Sequence, residues 1–158
     1  DYVDGADLLL EPRPETVLRQ GVGRGYGVEV FVRKNTGRLT GWFSYTYQQM
    51  RYQIADPNVN FGRAYPVNFN RPHSLNVVAN YQHTRRVGFS ATFTLSSGRP
   101  VTDPASKFYV GGIYVPNFTE RNGGSIPTYH RLDVGMTIEP PQTDRRFKSS
   151  WTFSIYNL

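Results

Sequence analysis

The sequence predicts an all-β fold, an antiparallel transmembrane β-barrel segment of about six strands, and three observations carry that expectation. Six stretches alternate large apolar residues with small polar ones, the two-residue period of a strand with unlike faces. Their polar faces are mostly Ser, Thr, Asn and Gly rather than the Lys, Glu and Arg of a soluble sheet. That pairing suits an apolar face on lipid and a polar face on an enclosed lumen. Each stretch is also about 10 residues long, enough to cross a bilayer at roughly 45° tilt. A mean globular strand is nearer ~5–6 residues.

Residues 1–24 hold Gly5, Pro12, Pro14, Gly21 and Gly23 with no sustained period, and read as a long extracellular loop. The first strand is expected from about Gly25 to Lys34, with Tyr26, Val28, Val30 and Val32 on one face and Gly27, Glu29, Phe31 and Arg33 on the other. Asn35-Thr36-Gly37 is a tight turn. The return strand, about Arg38 to Gln48, sets Leu39, Phe43, Tyr45 and Tyr47 against Thr40, Trp42, Ser44 and Thr46. A polar connection, about Gln49 to Pro72, precedes strand three, His73 to Gln82, where Leu75, Val77, Ala79 and Tyr81 oppose Asn76, Val78 and Asn80. A short turn around His83-Thr84-Arg85-Arg86 leads to strand four, Val87 to Ser96, where Phe89, Ala91, Phe93 and Leu95 oppose Ser90, Thr92 and Thr94. Ser97 to Thr128, rich in Gly and Pro, reads as a second long excursion. Strand five, Tyr129 to Glu139, turns through Pro140, Pro141 and Asp144 into strand six, about Phe147 to Tyr156. Connections thus alternate long and short, giving three hairpins with short periplasmic turns and long extracellular loops.

The bulk composition agrees with this reading. Of 158 residues 38% are hydrophobic and 15% aromatic, below the roughly 45–50% apolar content of a soluble average. A barrel strand needs apolar residues at only every second position. No run of about 18 apolar residues exists, so a transmembrane helix is excluded. Cysteine is absent, which removes disulfides and thiolate chemistry. The formal charge is +6, yet the basic residues are scattered over loops and turns rather than gathered in one stripe, so nucleic acid is not expected as a partner.

Several segments resemble the late barrel strands of TonB-dependent outer-membrane receptors, Bacteroidota type: GRGYGVEVFVRKNTGRLTGWFSYTYQ (Gly23 to Gln48), RPHSLNVVANYQ (Arg71 to Gln82), PTYHRLDVGMTI (Pro127 to Ile138) and SSWTFSIYNL (Ser149 to Leu158). The likeness extends to the opening DGADLLLEPRPETV (Asp4 to Val17). It implies a barrel of about 22 strands in the outer membrane of a Gram-negative bacterium, a plug domain, and import of a nutrient such as a chelate, glycan or peptide energised by the TonB complex. No plug is expected within residues 1–158, which would form a partial barrel whose partners are outer-membrane lipid, the remainder of the receptor, the TonB complex and a surface lipoprotein. A structural or adhesive barrel, a barrel enzyme and a soluble ligand-binding barrel are the alternatives.

Candidate chemistry is sparse. His130, Arg131 and Asp133 cluster in sequence, and Ser125 would supply a nucleophile, but a triad is a matter of geometry rather than spacing. No catalytic residue is expected. His73, His83 and His130 lack metal-ligand spacing, so neither metal nor cofactor is expected. The glycines of Gly21 to Gly27 precede a strand, not a helix, and form no phosphate cradle. Ligand-binding candidates are loop residues that pair rings with cations: Arg51, Tyr52, Arg63 and Tyr65 in one connection, Lys107, Tyr109, Tyr114 and Arg121 in the other, with Phe118 beside them. Aromatics near strand ends, Tyr26, Tyr45, Tyr47, Tyr81, Phe147 and Trp151, are expected as interfacial girdles.

Overall fold

The computed structural model describes residues 19–118, 120–140 and 149–158. Among them the alternating stretches form strands, and no α-helix occurs. In chain order these are β1 (Gly21–Lys34), β2 (Leu39–Ile54), β3 (Tyr65–Pro66), β4 (His73–Gln82), β5 (Val87–Ser96), β6 (Pro100–Val101), β7 (Ser106–Val110), β8 (Ile113–Asn117), β9 (Gly124–Ser125), β10 (Tyr129–Ile138) and β11 (Trp151–Ile155). The principal sheet has the order β1-β2-β4-β5-β10-β11, with β3 beside β2. Neighbours in this order pair antiparallel at each junction whose register is defined, as an up-and-down sheet requires. No closed barrel forms among the described residues, and β1 and β11 each pair on one side only.

Register decides what the alternation becomes, because a one-residue slip would send every side chain to the opposite face. Here it stays in phase across the sheet. Leu39, Tyr81, Phe89, Met136 and Phe153 form one cross-strand row, and Gly41, Ala79, Ala91, Val134 and Ile155 the next. Phe43, Val77, Phe93 and Leu132 follow, then Tyr45, Leu75, Leu95 and His130. These rows contain no Asp, Glu, Lys or Arg. On the other face lie Thr40, Asn80, Ser90, Gly135 and Ser154, and, further along, Ser44, Asn76, Thr94 and Arg131. Hydroxyls and amides there reach between strands: Thr94 Oγ1 donates to Asn76 Oδ1 at 3.2 Å, and Thr137 and Thr152 share a hydrogen bond at 3.3 Å. Such cross-strand pairs add roughly 0.2–1 kcal/mol each.

Neither face is covered by a second layer among the described residues. Phe89 is 44% exposed, Phe153 56% and Trp151 64%. A water-soluble sheet buries its apolar face against another element; this one leaves it open.

The chain divides into two compact units. One comprises Gly27–Gln48, Arg71–Gly98 and Pro127–Leu158 and holds the rows just given. The other comprises the described parts of Asp1–Tyr26, Gln49–Asn70 and Arg99–Ile126. Its small core is Ile54, Val59 and Tyr65, with Val67 also buried, and an Arg19–Asp56 ion pair lies in the same unit.

Three expectations change. Residues 1–18 lie outside the described set, but Gly21 to Arg24, read as loop, begin β1. β2 likewise runs on to Ile54 rather than ending near Gln48. Backbone pairing needs no side-chain alternation, so a glycine-rich segment beside a partner strand extends even though its sequence carries no period. The long connections also contain strands: β7 and β8 form a hairpin through Gly111 and Gly112, whose φ angles of 57° and 89° suit a two-residue primed turn. Strand six is described from Trp151 to Ile155, while its expected start at Phe147 and most of the preceding turn lie outside the described residues.

Gly41 has φ of +151°, and a Cβ there would stand 2.0 Å from the Val78 carbonyl oxygen. Gly37, at φ +93°, has nothing within 4 Å of the same position. Gly41→Ala is therefore expected to cost more than about 2 kcal/mol and Gly37→Ala about 1 kcal/mol. Thermal melting of the two full-length variants checks this, and equal effects would remove the clash as the cause.

Candidate functional site

Strand ends on the apolar face carry rings in two bands. At one end Tyr45 OH meets His73 Nδ1 at 2.9 Å, and the Tyr47 and His73 rings lie 5.3 Å apart. At the other, Tyr81 stands 6.1 Å from His83, and Trp151 is paired with Ile138. Tyr26, in the other unit, donates to Gln49 Oε1 at 2.5 Å. Phe147 lies outside the described residues. Between the bands, the small side chains of Ala79 and Ala91 leave a groove of about 860 Å³ bordered by Tyr81, Phe89, Met136 and Phe153. The dent follows from residue size, since methyl groups sit in a row flanked by rings.

Among the described residues the opposite face holds one ion pair. Arg131 Nε donates to both carboxylate oxygens of Asp133, at 2.8 and 2.9 Å, and the Arg131 guanidinium lies 5.8 Å from the Tyr156 ring centre. Asp133 also accepts from the Asn157 backbone N–H at 2.9 Å, and Leu158 N–H donates to the Leu132 carbonyl. The pair thus fastens the residues after β11 to β10. His130 cannot join Asp133 in catalysis, because residues three apart on a strand point to opposite faces. Ser125 turns its hydroxyl onto the neighbouring Ile126 carbonyl at 3.1 Å. Among the described residues no three His, Asp or Glu side chains gather where a metal could sit.

The eight loop candidates separate into groups. Arg51 and Tyr52 are strand residues at the end of β2, opposite Pro66 and Tyr65. Tyr65 is 5% exposed and belongs to the small core; Arg121 lies over its ring at 5.2 Å. Arg63 lies 6.0 Å from the Phe61 ring. Lys107, Tyr109 and Tyr114 cluster on the β7–β8 hairpin, with Lys107 Nζ 4.9 Å from the Tyr114 ring and the two tyrosine rings 5.1 Å apart.

Sequence reading missed the residues that join the two long connections. Arg121 N–H donates to Asn60 Oδ1 at 3.0 Å, Asn122 Nδ2 donates to the Pro66 carbonyl at 2.8 Å, and Asn122 N–H donates to Thr102 Oγ1 at 2.9 Å. Asn60, Phe61 and Gly62 follow one another at φ of 50°, 57° and 72°. Asn-x-Gly was the available signal, since both residues tolerate that region. Beside this framework lies an open cleft of about 560 Å³, lined in part by Asn58, Phe61, Thr102, Phe118, Glu120 and Arg121.

Asn122→Ala removes two side-chain hydrogen bonds, from Nδ2 to the Pro66 carbonyl and from the Thr102 hydroxyl to Oδ1, each worth about 1 kcal/mol, and is expected to loosen both connections. Limited proteolysis should then cut within residues 49–72 and 97–128 faster than in the parent. Unchanged cutting would mean that other contacts hold them. Asp133→Ala is expected to speed hydrogen exchange at the Asn157 amide while leaving the β4–β5 amides protected, and equal protection throughout would show that the carboxylate does not fasten the chain after β11.

No protein-family model, curated protein or solved structure matches this chain.

Proposed function

We propose that this chain is part of the wall and loops of an outer-membrane TonB-dependent transport receptor, which binds a nutrient and passes it across a Gram-negative outer membrane. The observation that carries this reading is the apolar face: continuous over five paired strands, free of Asp, Glu, Lys and Arg in its paired rows, and open rather than packed. Hydrocarbon solvates such a face without cost, whereas water does not.

Dimensions support it. A 10-residue strand such as β4, rising about 3.4 Å per residue and tilted about 45°, stands roughly 24 Å tall, against an apolar band of about 25 Å in outer-membrane barrels. The two bands of rings stand where headgroups would meet them. The Ser, Thr and Asn rows suit a wet lumen, where the Arg131–Asp133 pair keeps access to water. Six sheet strands with two one-sided edges need further strands to close, since such barrels begin at about 8. The remainder of the receptor would supply them, with its plug inside the closed barrel. Outer-membrane lipid would then bathe the apolar face, the TonB complex would act through the plug, and a surface lipoprotein could meet the loops. Transport by binding and gated passage requires no bond chemistry from these residues.

Val77 and Phe93 face each other in the middle of the apolar face, and Ser90 lies on the polar one. Lysine at mid-bilayer costs about 2–4 kcal/mol. Val77→Lys and Phe93→Lys are expected to impair assembly of the full-length protein, read as loss of its heat-modifiable band on gels, while Ser90→Lys assembles. Equal tolerance of all three, or recovery of the parent in the soluble fraction without detergent, would sink the membrane reading.

A further inference from the structure

We infer that the short-turn end of the principal sheet seats on anionic phospholipid headgroups. Charge distribution is the first ground. The segments 33–38, 83–86 and 139–150, which span the three short turns, hold eight Lys or Arg against two Asp or Glu in sequence, while the rest of the chain holds ten of each sign. These segments therefore carry the whole formal charge of +6. They are far apart in sequence, and folding brings their described ends into line. Gln82 N–H donates to the Arg38 carbonyl at 2.7 Å, and Glu139 N–H donates to the Arg86 carbonyl at 2.8 Å. Arg33, Lys34, Arg38, Arg85 and Arg86 are all exposed. The two ion pairs among the described residues, Arg19–Asp56 and Arg131–Asp133, use none of them.

What lies beside the cations selects the partner. On the apolar face, the row of Leu39, Tyr81, Phe89, Met136 and Phe153 is followed toward the turns by Val87, Ile138 and Trp151. His83 stands 6.1 Å from the Tyr81 ring and 6.4 Å from the Phe89 ring. Arg38 comes one residue beyond Leu39, and Arg86 and Arg85 come next beyond Val87, a rise of under about 7 Å along a strand. Apolar side chains, then rings, then cations is the order of hydrocarbon, interface and phosphate across one leaflet. A soluble polyanion would match the charge but not the ring band and open apolar face behind it. Four of the five exposed cations are arginines, whose guanidinium fork fits phosphate oxygens. The turn that presents two of them is shaped in advance: Thr84 Oγ1 accepts from the Arg86 and Val87 N–H groups at 3.2 and 3.1 Å, and Gln82 Nε2 donates to the Thr84 carbonyl at 2.8 Å. Such preorganisation lowers the ordering cost of binding.

The inference rests on the membrane reading of the apolar face and adds which headgroup gathers at one end of it. The full-length protein is reconstituted in phosphatidylcholine vesicles, and a trace of spin-labelled phosphatidylglycerol or phosphatidylcholine is added. The motionally restricted fraction of each label gives its relative association with the protein. Phosphatidylglycerol is expected to associate about fivefold or more over phosphatidylcholine, and added salt should reduce that preference. Combining Arg38→Gln, Arg85→Gln and Arg86→Gln should cut the preference about threefold or more while the heat-modifiable band persists. Arg71→Gln, at the opposite end of the sheet, should keep the parental preference. Equal association of the two lipids, or a preference unchanged in the triple variant, would overturn the inference. Retention of poly-glutamate or duplex DNA by the same arginines, without lipid preference, would give this end to a soluble polyanion instead. A restricted fraction with no headgroup preference leaves the importer reading intact, whereas no restricted fraction for either lipid removes that reading together with this one.

Discussion

The backbone hydrogen-bond ladder, held in one register from β2 through β11, is the constraint on which the other features depend. Side-chain alternation in a single strand only sorts residues to two sides. The ladder aligns those sides, so that Phe43, Val77, Phe93 and Leu132 become one row and Ser44, Asn76, Thr94 and Arg131 another. A slip of one residue at any junction would carry Asn and Ser into the apolar rows. Side chains then reinforce the choice, through Thr94 to Asn76 and Thr137 to Thr152 on one face and ring contacts near strand ends on the other.

The middle of the sheet was legible in the sequence because each residue there does one job. β4 and β5 coincide with the stretches read from alternation, and β10 ends within one residue of its expected limit. The legible signal fades where backbone geometry rather than side-chain character decides. Gly21 to Arg24 join β1 through pairing alone, and β2 continues past Gln48 because a neighbour is there to receive it. The β7–β8 hairpin had a signal that went unused: two glycines between Phe-Tyr-Val and Ile-Tyr-Val.

The loop candidates show a different limit. A ring beside a cation was read as a ligand contact, but the same chemistry also holds a protein together. Tyr65 turned inward to the core with Arg121 over its ring. Phe61, never singled out, is as exposed as Tyr114, and only its backbone angles mark it. Composition cannot separate a stacking pair that faces a ligand from one that faces its own fold, because both are the same contact.

The chain as a whole has a mean hydropathy of −0.51, the value of something at home in water, although the sheet it forms carries an uninterrupted oily side. The amphipathy therefore belongs to the paired state and not to the thread. Stretched out, most bulky residues of the long strands have a small or hydrophilic neighbour, and no run of about 18 apolar residues occurs. Acquiring a shape and acquiring a continuous apolar side are consequently the same event in this molecule.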